Sequence, residues 1–508
     1  MPLDLRSCPE LAITGPNPFL EVIHPFIPYP EWASNLDSFP LEATGSWKEL
    51  PPAYREPLLD CYDQHFVTSQ DLFQIAADVQ RILRHALVLS NPLKVENLQR
   101  TNRVLLSGDR LAMLRLSGLD GAGGIIAAIT GSGKTRLICM LLRVLVPKPV
   151  VDYGKSDVCG WTKLVQLVYL HLDHATNGTR GGLLHRILEA MDAELGTSYS
   201  EENKRTANID VLLVVVVKKL VLHRVAILVV DEKQEKTFAD SAWQIEFALL
   251  YLSLMNLGIS VLLAGNPLAF ENLMIFSQVR RRFAWGGIHH MKPAPTASTR
   301  WWSKDFVPGM RKFSLVDSYA VPAEQYEKWL FDGSGGVRGL CAVLHVEAQR
   351  HAIRNLTGSV AELSEIDMKA ALASPRFKEL QSIANAIRTP DQLSSFGFLD
   401  LPGPNVSVAG SSSRSAGPSN ARTEAISMLQ QVHRRMQAET TRASSKFKRL
   451  LDAIHTFSPD DSRMLGVSKE MIEEAERFRR NLENEAAAKA GPKATRPASG
   501  KDRSNGAT

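Results

Sequence analysis

Cysteine is scarce: there are five in 508 residues, at positions 8, 61, 139, 159 and 341. The number is odd and no pair has the spacing of metal ligands, which argues against a disulfide framework and a cysteine-bound zinc site. Such usage fits a reduced, cytoplasmic protein. Excess charge is also slight, since 59 Lys and Arg against 54 Asp and Glu leave a formal +5. A chain so nearly balanced is no polycationic coat for nucleic acid, and any basic face has to come from local clustering. Uncharged apolar runs of membrane length are missing. The longest candidate, residues 211–230, is interrupted by Lys218, Lys219, His223 and Arg224, whereas a span needs ~20 nearly uncharged residues. Residues 1–13 carry Asp4, Arg6 and Glu10 and lack the apolar centre of an export signal. No membrane partner is expected, and no internal repeat is found.

What remains is ordinary globular material, 44% hydrophobic and 22% charged, in a chain long enough for two or three domains. Residues 1–100 read as an irregular N-terminal extension. They are rich in proline and aromatics (Pro16, Pro18, Phe19, Pro25, Phe26, Pro28, Tyr29, Pro30, Trp32), a composition that wraps over another surface or waits for a partner. Within it, Leu72, Ile75, Ala76, Val79, Ile82, Leu83 and Leu87 have helical spacing over 70–89. Residues 101–295 alternate between strand and helix patterns, the mark of an α/β domain with a parallel sheet. Strands are expected at 124–130, 164–172, 227–230 and 260–264, and helices at 134–145, 181–195 and 242–256. Residues 211–222 are β-branched enough for a strand, but Lys218 and Lys219 between apolar groups suit a helix better. Residues 296–378 read as a small helical lid and 379–422 as a linker centred on the Pro/Gly/Ser stretch from 402. Residues 423–508 read as a charged, helical and partly disordered tail.

The chemistry concentrates in two places. Residues 128–135, Ala-Ile-Thr-Gly-Ser-Gly-Lys-Thr, lie between an expected strand and an expected helix, the context of a phosphate-binding loop. Gly131, Ser132 and Gly133 let backbone N–H groups turn around phosphates. Lys134 brings positive charge to the outer phosphates, Thr135 offers a hydroxyl to Mg²⁺, and Arg136 follows in the first helical turn, where the dipole favours anions. Ala128 replaces the first glycine of the usual pattern, and alanine cannot take the most strained backbone angles. The second place is 227–232, Ile-Leu-Val-Val-Asp-Glu, a buried strand ending in two carboxylates. Asp231 is placed to hold Mg²⁺ and Glu232 to orient and polarise an attacking water, so ATP and Mg²⁺ are the expected cofactors.

Three weaker signals follow. Asn266, after the strand at 260–264, either senses the γ-phosphate or caps the turn before Pro267. Arg280, Arg281 and Arg282 contain either an arginine finger for a neighbouring subunit or a solvated basic helix end. Arg338, opening a lid helix, is either a second sensor or a surface arginine.

Several further segments resemble the TnsC/TniB group of transposon AAA+ ATPases, most of all TnsC, over roughly residues 15–375. They are the strand Leu-Val-Tyr-Leu-His-Leu at 167–172, the leucine-rich helix running into Leu-Gly-Thr-Ser-Tyr at 195–199, Val-Val-Asp-Glu-Lys-Gln at 229–234 and Leu-Leu-Ala-Gly-Asn-Pro at 262–267. Ala128, Lys233 and Asn266 depart from the group's pattern. The resemblance implies a P-loop AAA+ module that hydrolyses ATP. It implies a homo-oligomeric ring or helical filament on double-stranded DNA that recruits a transposase and answers to a target-selector protein. It also places DNA contacts at Arg180, Lys204 and Arg205, by analogy with the group's channel. Two other readings stay open: another AAA+ DNA-remodelling ATPase such as a helicase loader, and a non-hydrolysing ATP-bound DNA scaffold.

Overall fold

The computed structural model describes residues 4–107, 121–174, 179–206, 208–233, 244–270, 277–356, 359–389 and 401. All belong to one compact unit, Met1–Val408. The linker from 402 and the tail expected at 423–508 lie outside the described residues.

Parallel strands covered on both faces need continuous apolar runs, and the chain supplies them. Strands β1 (Gly123–Ala128), β4 (Tyr169–Asp173), β5 (Ile227–Lys233), β6 (Ser260–Gly265) and β7 (Ile288–Met291) form one sheet in the order β4-β5-β6-β1-β7. Every pairing in it is parallel. All strands therefore end at one edge, which is where ligands meet open α/β sheets. The α/β class with a parallel sheet, read from alternation alone, is the observed one.

One expected strand is corrected. Residues 164–172 break at Val168 into β3 (Leu164–Leu167), antiparallel to β2 (Val150–Tyr153), and β4 in the main sheet. The Val168 amide donates to the Pro149 carbonyl at 2.8 Å, which carries the chain from one sheet into the other.

Helices α1 (Gln70–Leu89) and α3 (Lys134–Leu145) cover one face of the sheet, with α2 (Val95–Leu106) following α1. On the other face lie α4 (Arg180–Leu195), α5 (Ile209–Leu222) and α6 (Gln244–Asn256), and α7 (Ser277–Gly286) leads into β7. The ambiguous valine-rich segment is the helix α5. Asn208 caps it, accepting the N–H groups of Asp210 at 2.9 Å and Val211 at 3.3 Å. That cap and burial of Leu212, Leu213, Val216, Val217 and Leu220 outweigh the few tenths of a kcal/mol, roughly, that each β-branched residue loses in a helix.

The proline-rich extension wraps over a surface, and the surface is the chain's own. Phe19, Leu20, Ile27, Trp32 and Leu36 enter the core beneath α1 and α3. Polar side chains seal the seam: Gln80 bonds both the Ile27 N–H (2.9 Å) and the Ile27 carbonyl (3.1 Å), and Arg84 holds Glu10 at 2.7 Å. Further on, Leu59 and Val67 pack into a second core with Trp302, Phe313 and Leu344. The extension thus braces the sheet domain and the lid together.

The lid consists of α8 (Ala323–Ser334), α9 (Arg338–Arg354), α10 (Glu365–Ala373) and α11 (Pro375–Arg388). It runs past the expected boundary at 378. Ser374 accepts the Phe377 N–H at 3.2 Å, Pro375 sits in the first turn, and Phe377, Ala384 and Ala386 are buried. No described helix is long and apolar enough to cross a membrane.

Two buried histidines at this junction make stability depend on pH. His345 is fully buried, with Nδ1 2.7 Å from the Tyr326 hydroxyl and Nε2 2.9 Å from the Phe313 carbonyl. Burial holds its pKa down to about 4 from the ordinary 6.5, and burial does the same to His65, bonded to the Gly309 carbonyl at 3.1 Å. The unfolded chain binds protons that the folded chain excludes. This contribution is therefore complete above pH 6.5 and is lost as pH falls toward 4, on the order of 3 kcal/mol for His345. Urea melts in that window should show the loss, and His345→Gln should flatten it. An unchanged acid limb in the variant would show that the ring does not carry the effect.

Candidate functional site

Strand β1 delivers the chain to the sheet's C-terminal edge, and α3 starts within a few residues. Between them the backbone must turn back on itself, which it does at Gly131 (φ 80°) and Gly133 (φ 87°). Left-handed angles cost a side-chain-bearing residue roughly 1–2 kcal/mol, so glycine is required at both. Ala128 is a different matter. It is the last residue of β1, paired with Met291 and 1% exposed. Its backbone is extended, so the departure from glycine introduces no strain.

The loop fits a phosphate chain. Gly133 stands at the N-cap of α3 without a side-chain cap, and the first N–H groups of a helix have no partner within it. Ser132 is 4% exposed and its Oγ is buried without a hydrogen-bond partner, a group that a ligand oxygen would satisfy. Lys134 and Thr135 open α3, Thr135 exposed.

Asp231 lies two strands away, on β5, fully buried and in register with Asp173 of β4. Burial first, then the Asp231 and Asp173 carboxylates, push the Cys139 thiol pKa up, placing the second turn of α3 beside the end of β5. Among the described residues no cluster of three or more His, Cys, Asp or Glu could hold a metal. Thr135 and Asp231 are hard oxygen donors of the kind Mg²⁺ takes one or two at a time, its other ligands being water and phosphate. Glu232 follows in β5, with its side chain outside the described part of the structure.

Between β1 and β5 runs β6, and Asn266 follows its last residue. It is 7% exposed and its Oδ1 accepts the Leu268 N–H at 3.0 Å. Asn266 thus caps the turn at Pro267, whatever else it contacts.

The arginines separate. Arg136 is corrected. Its Nη2 donates to the carbonyls of Tyr62 (2.7 Å), Asp63 (2.6 Å) and His65, so it binds the extension to α3 and not phosphate. Arg281 is exposed on α7, while Arg282 donates to Asn256 Oδ1 at 2.9 Å. Arg338 is buried, paired with Asp71 at 2.6 Å, bonded to Ser69 Oγ at 3.0 Å and stacked over the Trp301 ring at 3.8 Å. Its helix nonetheless touches the loop, because the Gly339 N–H donates to the Gly131 carbonyl at 2.8 Å.

The candidate DNA contacts are not one patch within the subunit. Arg180 begins α4 and is half-buried, whereas exposed Lys204 and Arg205 lie beyond its other end. The helix between them is about 22 Å long at 1.5 Å per residue. Lys204 is paired with Glu201 at 3.1 Å, a surface contact of little strength.

Asp71 and Gly339 were not foreseen. The Gly-Gly-Val-Arg-Gly run at 335–339 is the signal that could have marked a close backbone approach at the lid.

No protein-family model matches the chain, and no curated protein matches it. Among solved structures it is similar to the crystal structure of Cdc6p from Pyrobaculum aerophilum, at 13% identity and a TM-score of 0.34, over 55% of this chain and 67% of that one. A likeness at that level carries no argument about activity.

Proposed function

We propose that the chain is an AAA+ ATPase that assembles on double-stranded DNA and regulates transposition. One observation carries the ATPase reading. An uncapped helix start with two left-handed glycines and an orphaned Ser132 hydroxyl shares a sheet edge with the buried Asp231. The strand order supports the AAA+ class, since β6, ending beside Asn266, separates the loop-bearing strand from the Asp231-bearing one. A helical lid touching the loop through Gly339 supports it too.

In this reading Lys134 neutralises the outer phosphates, and Thr135 and Asp231 hold Mg²⁺. Bound Mg²⁺ supplies charge neutralisation at the phosphate oxygens. Glu232 orients water and accepts its proton, and exposed Arg281 reaches a neighbouring subunit's site. Arg180 on one side and Lys204 with Arg205 on the other meet DNA phosphates only when subunits are arrayed in a ring or filament. The transposase and target-selector partners rest on the segments at 167–172, 195–199, 229–234 and 262–267. The extension is committed to the chain's own cores, so partner contacts fall to exposed faces and the tail.

Phosphate release by the full chain, with and without duplex DNA, tests this. Glu232→Gln should slow turnover by about 10²–10⁴-fold and prolong DNA-bound assemblies. A variant that changes neither refutes hydrolysis at this site. Recovery of a replicative helicase, and no transposase, as the bound partner would move the assignment to a helicase loader.

A further inference from the structure

A guanidinium without a counter-charge among the described residues lies at the sheet edge opposite the loop. Arg224 sits in the turn between α5 and β5, and is the sole described non-glycine residue with positive φ, at 50°. Its Nε is buried without a hydrogen-bond partner, and its Nη1 donates to the neutral Thr101 Oγ1. Among the described residues no carboxylate forms an ion pair with it, and burial brings its pKa down to about 10. Arg224 is half-buried, and arginines more buried than it are provided for: Arg55 has Asp317, Arg84 has Glu10, Arg338 has Asp71 and Arg350 has Asp60. Drawing a charge partly out of water without a partner is unfavourable, and the left-handed backbone adds ~1–3 kcal/mol that a glycine would avoid. Both costs persist at one residue, which points to a use for the side chain.

That side chain lines a cleft of about 50 Å³ between α2, the end of α5 and the turn before β6. A single water needs roughly 10–15 Å³, so the cleft has room for one tetrahedral oxyanion. Among the described residues its walls include a second arginine, Arg100, and no Asp or Glu. Arg100 donates to Asn97 Oδ1 at 3.3 Å, an uncharged acceptor. Two arginines lining one small, otherwise mostly apolar cleft carry the charge and the forked donors that the paired acceptors of a phosphate group take.

We propose that this cleft is a phosphate-group site, in which Arg224 and Arg100 share one oxyanion. It is distinct from the nucleotide loop, because Arg224 lies three residues before β5 and Ile259 one before β6, whereas the loop follows the end of β1. The ligand is either a free phosphate or phosphomonoester, or a phosphate of the DNA backbone.

The test is made on full-length Lys134→Ala protein, so that phosphate binding at the loop is weakened. Inorganic phosphate should raise its melting temperature above that in chloride of equal ionic strength. Adding Arg224→Gly, which removes the charge and relaxes the backbone, should raise the phosphate-free melting temperature and remove most of the response. Arg224→Lys, a point charge without the fork, should keep a weakened one. Titration with a short duplex separates the sources. A tenfold weaker affinity on adding Arg224→Gly assigns a backbone phosphate, and unchanged affinity with a retained phosphate response assigns the small ligand. The proposal is overturned by a phosphate response that Arg224→Gly leaves undiminished, or by no response in the Lys134→Ala protein. In the second case a lower melting temperature in the glycine variant would show that the chain itself satisfies Arg224.

Discussion

Lys134→Ala should lower the affinity for ATP about 10- to 100-fold, measured by titration calorimetry with Mg²⁺ present, while leaving the melting temperature of the ligand-free protein nearly unchanged. The size follows from what is removed. A charge-assisted contact to phosphate contributes about 1.5–3 kcal/mol, and the neighbouring cation, Arg136, is committed to the carbonyls of Tyr62, Asp63 and His65. Glycine-derived amide contacts survive the substitution, so weak residual binding is expected. The fold should be indifferent, because Lys134 lies outside all three hydrophobic cores. Asp231→Asn should behave differently. It should weaken binding in Mg²⁺ far more than in EDTA, because its part is to hold the metal. Equal affinity in wild type and Lys134→Ala would remove the loop from the nucleotide site, and with it the ATPase reading.

Local chemistry made much of this legible. The loop and α3 follow from eight consecutive residues, and α1 from seven apolar positions on one helical face. Asn208 before the valine run is a local cap signal that settles α5 as a helix. Strand β7 was not legible: Ile-His-His-Met has no strand period, and its place is set by pairing with β1 more than 150 residues away in the chain. The same holds for the arginines. Sequence gives each a charge and a helix position but no partner, and the partners of Arg136 and Arg338 come from the extension across long loops. The extension reads as a wrapping segment from its prolines and aromatics, yet nothing local says that Trp32 and Phe19 are buried against the same molecule. Ala128 shows the reverse error. A pattern written as glycine suggests a strained position where the backbone is an ordinary strand.

The contact between lid and loop leads to the second large effect, for which the sign alone is decisive. Gly339 is the second residue of α9. At an open position in a helix, replacing glycine by alanine stabilises by about 1 kcal/mol. Here an added Cβ would sit 2.5 Å from the Gly131 carbonyl oxygen and 3.2 Å from its carbon. Those are backbone atoms of the loop, so relief requires α9 and the loop to part. Parting them breaks the Gly339 N–H bond to Gly131 and draws Val337 and Leu340 off the loop. Overpacking of this kind costs about 1–3 kcal/mol and the hydrogen bond about 1 more, which exceeds the helical gain. Gly339→Ala should therefore lower the melting temperature by several degrees and, because the loop is displaced, weaken ATP binding by about tenfold, near 1.4 kcal/mol. A raised melting temperature with unchanged affinity would mean that α9 does not rest on the loop in solution. A lowered melting temperature with unchanged affinity would separate the lid's structural contact from the nucleotide site, and would leave Lys134 and Asp231 to carry the site without it.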